Sequence, residues 1–460
     1  MTKVEIFYSL LPVFSQNIAI SMYGYYWRWL RFGGDYLYQV EKFREREKFS
    51  FNQWESWQKE ELKRILSIAI TNVPYYSKTF SIFQKKAALE GELQDLPLLE
   101  KRILSQAPYS LVRNDIKTKQ FTFKTSGTTG TPVKSIWSLP ENRKSLAMRE
   151  VRSANWAGVS FSLPRATFSG RMVEPDPNSK GPYYRFNFAE KQVYFSAFHL
   201  RPDTAKSYVQ ALWSHKIEWL TGYASSYYLL ATLIIKQNLK VPKLKAVITT
   251  SEKLTPQMRS IMEEAYGCRI YEEYSTVENA LFASECEYGS LHVSPDAGII
   301  EILREDGSSC NSGEVGEVVA TCLLRDYQPL IRYRLGDLAA WGTELCQCGR
   351  CMPIIKEVVG RVDDIIIGPD GRQVVRFPGV FTSQPNVVEG QIIQESLDLI
   401  RIKVVPTESF NESDEIDIKK RIHQRLGESV KVVVEPVTEI PRSQAGKFKA
   451  VISNINKIII

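Results

Sequence analysis

The stretch KTSGTTGTPVK, from Lys124 to Lys134, gathers glycines, short hydroxyls and a proline between two lysines. Such residues punctuate turns in any protein. They can also wrap a polyphosphate. Backbone N–H groups of Thr125–Gly130 and the hydroxyls of Ser126, Thr128 and Thr129 can donate to phosphate oxygens, while Gly127 and Gly130 let the backbone come close. A Walker loop is excluded, because it needs glycine directly before Lys-Ser or Lys-Thr, and Lys134-Ser135 follows Val133. A second chemical group is CQCGRC, where Cys346, Cys348 and Cys351 crowd together. In a reducing compartment this reads as metal ligation before it reads as a disulfide. The seven cysteines have no small-scaffold spacing.

The elements that must position these groups follow from periodicity. Alternation at Phe121 and Phe123 suits a strand, and SLPENRKSLAMREVRSANWAG reads as a helix starting near Glu141. The loop is therefore expected between a strand and a helix, a setting in which phosphate loops occur. Residues 35–105 read as helical, with Phe51, Trp54, Trp57, Leu62, Ile65 and Ile68 at periodic positions. AVITT (Ala246–Thr250) reads as a buried strand and SSYYLLATLIIKQ (Ser225–Gln237) as a helix, an α/β pattern. Short strands from 291 to 345 suggest an added β-rich subdomain. After VVGRVDD (Val358–Asp364) a smaller unit begins, with strand-like IRIKVVP, the charged helix SDEIDIKKRIHQRLG and VKVVVEP.

A chain of 460 residues exceeds one ordinary core and suggests two or three domains. Hydrophobic residues at 43% and charged residues at 24% place it among globular proteins. A net charge of +7 is mild at this length, and no dense basic block argues for nucleic acid. No apolar run approaches the ~20 residues of a membrane span. The N-terminal stretch lacks a basic start and a small-residue cleavage site, so it does not read as a signal peptide, and a cytoplasmic location is expected. Tyr25, Tyr26, Trp27 and Trp29 with Arg28 and Arg31 could lie at a membrane interface, although such segments more often pack on their own domain.

Four further signatures follow the loop in order: YEEYSTVEN (Tyr271–Asn279), YRLGD (Tyr333–Asp337), GRVDD (Gly360–Asp364) and PRSQAGK (Pro441–Lys447). This ordered set resembles the adenylate-forming enzyme superfamily, which activates carboxylates with ATP as acyl-adenylates. LPVFSQN, FSGRMV, YFSAFHL, TGYASSYYLLA and HVSPDAGIIEI look like its phenylacetate–coenzyme A ligase branch, close to capsular-polysaccharide-biosynthesis relatives. The resemblance covers nearly the whole chain. It implies an α/β fold with a large N-terminal domain of α/β layers plus a β subdomain (1–359), a hinge (360–364) and a small, mobile α+β C-terminal domain (365–460).

It also implies roles. Thr125–Gly130 cradle the phosphates of ATP, with Ser251, Glu252 and Thr276 beside the nucleotide. Tyr274 stacks on adenine, Glu278 holds Mg²⁺, Asp337 clamps the ribose and Arg361 reaches ribose or phosphates. Asp363 is the hinge and Lys447 the catalytic lysine. His199 falls near the acyl pocket and the thioester step, and Tyr223, Ala224, Ser225 and Ser226 line the acyl side. Related ligases can carry a structural metal on the β subdomain. Here Cys286, His292, Cys346 and Cys348 would make a closed Zn²⁺ site, with Cys351 competing for one place.

The expected reaction is acyl-adenylate formation from a small carboxylic acid, then transfer to coenzyme A. The alternatives are transfer to an amine or carrier, and a non-catalytic nucleotide-binding assembly protein. Two departures from the family pattern bear on these. Thr131 stands where many relatives have lysine, and Ser275 stands where relatives have glycine.

Overall fold

Three serines open helices in the N-terminal half by the same local device. Ser50, Ser81 and Ser138 each accept from the backbone N–H three residues on, while Gln53, Gln84 and Glu141 reach back to the serine N–H. These boxes start Phe51–Asn72, Ile82–Glu90 and Leu139–Arg149. The stretch expected to be helical is a series of helices, the 22-residue Phe51–Asn72 among them, with Trp54, Leu62 and Ile65 buried but Phe51 exposed. The computed structural model describes residue 8 and residues 11–455, except 125–132, 172, 175, 177, 253, 255, 344, 359–365, 375–379, 382, 383, 385, 439 and 441–450.

One 12-stranded sheet carries the large part of the molecule. Five of its strands run parallel: Gln192–Phe195, Arg165–Phe168, Trp219–Tyr223, Ala246–Thr250 and Arg269–Ser275, in that spatial order. Helices Ala205–Ser214, Ala224–Lys236 and Pro256–Tyr266 lie among them in sequence, and they share a buried core with these strands. Strands covered on both faces read as continuous apolar runs, which is why AVITT was legible. Arg269–Ser275 then pairs antiparallel with Phe282–Glu285, and the sheet continues through Leu291–Val293, Ile354–Val358, Tyr333–Trp341, Val315–Cys322 and Gly298–Leu303. The β-rich stretch from 291 to 345 is thus the antiparallel half of the same sheet, not a sheet of its own.

The smaller unit has a 4-stranded sheet ordered Lys431–Pro436, Leu399–Pro406, Val387–Ser396, Val451–Ser453. Helix Glu412–Leu426 buries Ile418 and Ile422 in one core with Ile400, Ile402 and Val404. Phe198, from the large part, is buried in that same core. Arg201 reaches Asp370 at 3.4 Å beside it. The expected boundary and hinge, Gly360–Asp364, lie outside the described residues.

One expectation is corrected. Gln120–Lys124 pairs antiparallel with Lys134–Ser138, so the glycine-rich loop joins two strands of a hairpin. The helix begins only afterwards, at Leu139. Ser135, Ile136 and Trp137 alternate too weakly for the sequence to show the second strand, and the Ser138 cap drew attention to the helix alone.

Candidate active site

The expected site residues gather at one end of the parallel strands. Register aligns Tyr223 with Thr250 and Thr250 with Glu273. Ser251, Glu252, Tyr274, Ala224 and Ser226 therefore follow directly at the carboxyl ends, where open α/β sheets bind ligands. Backbone geometry is special there. Ser251 sits at φ 72° without being glycine, a conformation that collects at functional sites. Gly222 sits at φ 137°, and a Cβ on it would fall 1.9 Å from the Phe168 carbonyl oxygen. Only glycine lets these two strands meet at this point.

Tyr274 and Asp337, assigned to adenine and ribose, meet. The Tyr274 hydroxyl donates to Asp337 Oδ2 at 3.0 Å. What turns Asp337 there is a bulge. Between Val315–Cys322 and Tyr333–Trp341 the register shifts around Gly336, which has φ 77°.

Glu278 follows Tyr274 across a turn closed by Asn279 N–H to the Thr276 carbonyl at 2.9 Å. Its carboxylate is buried and accepts from the Tyr333 hydroxyl at 2.9 Å. Its carbonyl accepts from Arg325 at 2.5 Å. A buried carboxylate with one oxygen engaged is a fitting oxygen ligand for Mg²⁺, which takes one or two carboxylates and keeps waters. Thr276 Oγ1 is buried beside it and finds no partner among the described residues, as does Ser226 Oγ.

Arg325 was not foreseen. It is fully buried and also donates to Ser135 Oγ at 2.9 Å and the Ile136 carbonyl at 2.5 Å, with its guanidinium 4.3 Å from the Trp137 ring centroid. It ties the strand leaving the glycine-rich loop to Glu278. Burial pushes the Arg325 guanidinium down and the Glu141 carboxyl up, and each charge opposes the other's shift. Glu141 in turn accepts from the Ser138 and Tyr327 N–H groups at 2.7 and 2.6 Å. The signal available was an arginine beside an aspartate inside the mostly apolar CLLRDYQPLI. Two of its partners are backbone carbonyls, which no side-chain pattern encodes.

His199 is buried, with Nδ1 2.8 Å from Ser196 Oγ and Nε2 2.7 Å from the Asp176 carbonyl. A carbonyl only accepts, so Nε2 carries the proton and Nδ1 accepts from Ser196. Burial pushes its pKa below the ordinary histidine value. The ring is neutral, stacked on Tyr183 at 5.3 Å, and committed to holding its loop. Nothing in this arrangement leaves a nitrogen for an incoming substrate. Thr125–Gly130, Arg361, Asp363 and Lys447 lie outside the described residues, as does the side chain of Ser225.

A separate constellation sits on the antiparallel half. The ligand atoms of Cys286, His292, Cys346 and Cys348 all lie within 4.8 Å of one another. Cys286 and Cys346 sulfurs are 3.5 Å apart, and Cys348 Sγ is 3.3 Å from His292 Nε2. The edges of a tetrahedron of Zn–S bonds are about 3.8 Å, so the spacing suits zinc. His292 Nδ1 donates to the Met352 carbonyl at 3.2 Å, which leaves Nε2 its lone pair for a metal. Tyr288 and Cys348 N–H groups point at the Cys286 and Cys346 sulfurs. Burial pushes the Cys346 thiol up, but hydrogen bonds involving Ser290, the Cys348 backbone and His292 outweigh it and hold it at about 6. Cys351 stands outside the group of four, packed on the Trp54–Trp156 core.

Comparison with known proteins places the fold. Residues 366–454 match the family described as the CapK C-terminal domain. Over 97% of this chain and 99% of the relative, the sequence is 24% identical to Protein CapK of Staphylococcus aureus. It is 29% identical to phenylacetate-coenzyme A ligase of Thermus thermophilus over 45% of this chain and 54% of that protein. Among solved structures, 2-hydroxyisobutyryl-CoA ligase in complex with 2-HIB-AMP and CoA superposes with a TM-score of 0.55 at 21% identity, covering 87% of this chain and 90% of that one.

Proposed function

We propose that this chain, a relative of CapK and of phenylacetate–coenzyme A ligase with the fold of an adenylate-forming ligase, activates a small carboxylic acid with ATP and passes the acyl group to coenzyme A. One observation carries the reading. Tyr274 and Asp337, distant in sequence, meet at 3.0 Å where the parallel strands end, next to the buried carboxylate of Glu278.

In the first step a carboxylate oxygen attacks the α-phosphorus of ATP. The α–β phosphoanhydride bond breaks and pyrophosphate leaves. Tyr274 offers a ring face for adenine, and Asp337 can accept from two vicinal ribose hydroxyls. Glu278 would hold Mg²⁺, which supplies charge neutralisation on the phosphates. The Thr125–Gly130 loop would donate to phosphate oxygens, and Lys447 would offset the negative charge that grows between carboxylate and phosphate. In the second step the coenzyme A sulfur attacks the acyl carbon and AMP leaves. The smaller unit, hinged at Asp363, would reposition between the steps.

Cys286, His292, Cys346 and Cys348 would hold a structural Zn²⁺, three thiolates and one imidazole with no open position. Such a site stabilises the hairpins it joins and does no chemistry.

A second reading is favoured by one finding. The relative matched over almost the full length of both chains is CapK, not the thioester-forming ligase. In this reading the acyl group passes to an amine or a carrier instead of coenzyme A. The test for both is pyrophosphate release from Mg·ATP across aryl, alkyl, amino and sugar acids, with and without coenzyme A. Acid-dependent release that coenzyme A stimulates supports the first reading. Acid-dependent release indifferent to coenzyme A supports the second. No release with any acid, despite ATP binding, removes both.

A further inference from the structure

A surface helix ordinarily turns its apolar stripe inward. Helix Val13–Phe32 does the reverse. Apart from buried Leu30 and half-buried Trp27 near its end, its inward face is small and polar, and it runs along Tyr184–Asn187, the edge strand of the large sheet. Gln16 accepts from the Arg185 guanidinium. Asn17 Oδ1 accepts from Phe186 N–H and Ser21 Oγ from Phe188 N–H, each at 3.0 Å. Gly24 lies so close to Asn187 that a Cβ would fall 2.4 Å from its Oδ1. Arg28 donates to the Ala189 carbonyl at 2.8 Å, and Arg31 pairs with Glu190. Together these contacts cover the sheet edge with hydrogen bonds.

The outward face is the apolar one. Phe14 (72% exposed), Ile18, Met22 (71%), Tyr25, Tyr26 and Trp29 (65%) follow helical spacing. Leu37 and Tyr38, on the next helix Tyr36–Arg46, are exposed as well. A contiguous large apolar patch of this kind marks an interaction surface.

We propose that this face rests on an anionic lipid surface, with the helix lying in the plane of the interface. Three observations select lipid. First, the residue types are those of the headgroup boundary, where Tyr and Trp keep a polar tip wet and an apolar ring buried. Second, the helix contains no acidic residue, and of its two arginines Arg31 is already paired with Glu190. Arg28 is exposed at its border, and exposed Lys117 and Lys119 lie in the strand approach beside it, with Lys119 Nζ 4.9 Å from the Tyr26 ring centroid. That sign complements phosphatidylglycerol-type headgroups. Third, among the described residues no helix is long and apolar enough to cross a membrane, so the contact is with the surface.

The test is flotation of the full chain with vesicles of phosphatidylcholine and phosphatidylglycerol (1:1) and with pure phosphatidylcholine, alongside tryptophan emission. The variant carries Phe14→Ser, Met22→Ser and Trp29→Ser together. All three side chains are exposed, so the fold and the pyrophosphate assay should be unchanged. The expected result is binding to the mixed vesicles with a blue-shifted emission, weakened by salt and at least about tenfold weaker in the variant. Absence of binding, or binding equal in the variant, overturns the proposal. So does a concentration-dependent dimer that forms without lipid and is lost in the variant, because a second copy would then be the occupant. Binding seen only after removal of residues 1–10 also overturns it, since that segment would then be what covers the face.

Discussion

Tyr333 and Glu278 show how single atoms tune the site. The Tyr333 hydroxyl donates to Glu278 Oε1, and both residues are buried. Tyr333→Phe deletes one oxygen and keeps the packing. A hydrogen bond to a charged group is worth roughly 1.5–3 kcal/mol. The concentration of Mg²⁺ giving half-maximal pyrophosphate release should rise about tenfold or more in the variant, measured at a temperature where it is fully folded. An unchanged Mg²⁺ dependence would show that the hydroxyl does not orient Glu278. His199 makes a different prediction. Its pKa is lowered in the folded state by burial, so the native state binds fewer protons than the unfolded chain below the ordinary value of 6.5. Its contribution to stability is complete above that value and is lost as pH falls through it. Denaturant midpoints measured from pH 7.5 to 5.5 should fall, and fall less in His199→Gln. At this scale the sequence was uneven. Tyr274, Glu278 and Asp337 were singled out through motifs that resemble a family's, and the fold brings Tyr274 and Asp337 into contact. Arg325 was not, because its meaning lies in the carbonyls of Ile136 and Glu278 that it meets.

At the scale of elements, two knuckles of chain make the cysteine site. One is the turn between Phe282–Glu285 and Leu291–Val293, the other is CQCGRC. Spacing left Cys351 as a competitor for one of the four places, beside Cys346 and Cys348. The fold separates them, because Cys348 faces His292 and falls within the group of four ligand atoms while Cys351 does not. Metal analysis should find one zinc per chain, lost in Cys348→Ser and retained in Cys351→Ser. Chelation should lower the melting temperature, and zinc should restore it. Retention of zinc by Cys348→Ser with loss in Cys351→Ser would reverse the assignment. The hairpin around the glycine-rich loop was misread as strand–loop–helix for a related reason. Short strands that pair only with each other carry little periodicity, whereas the Ser138 capping box announces the helix plainly.

At the scale of the molecule, the parallel half of the sheet brings the site residues to one end, and the antiparallel half adds Asp337 to it. The sequence showed an α/β half and a β-rich half. The junction is the antiparallel pairing of Tyr274 with Ala283 across the loop of YEEYSTVEN, a stretch whose residues read as a nucleotide motif and not as a hairpin. The smaller unit meets the large one at Phe198, one residue from His199. If that contact belongs to the thioester step, Phe198→Ser should slow thioester formation more than pyrophosphate release, and equal effects on both would argue against it. Lys447, on the smaller unit, should act earlier. Lys447→Ala should slow acid-dependent pyrophosphate release by ~10²–10³ while ATP binding persists.

The central claim is that a carboxylate oxygen attacks the α-phosphorus of ATP. It is tested most directly by isotope transfer. An acid that supports pyrophosphate release is labelled with ¹⁸O in its carboxyl group, and the nucleotide product is analysed by mass spectrometry. Formation of an acyl-adenylate, followed by attack at the acyl carbon, predicts AMP carrying one ¹⁸O. ADP as the nucleotide product, with the label in inorganic phosphate, would contradict it.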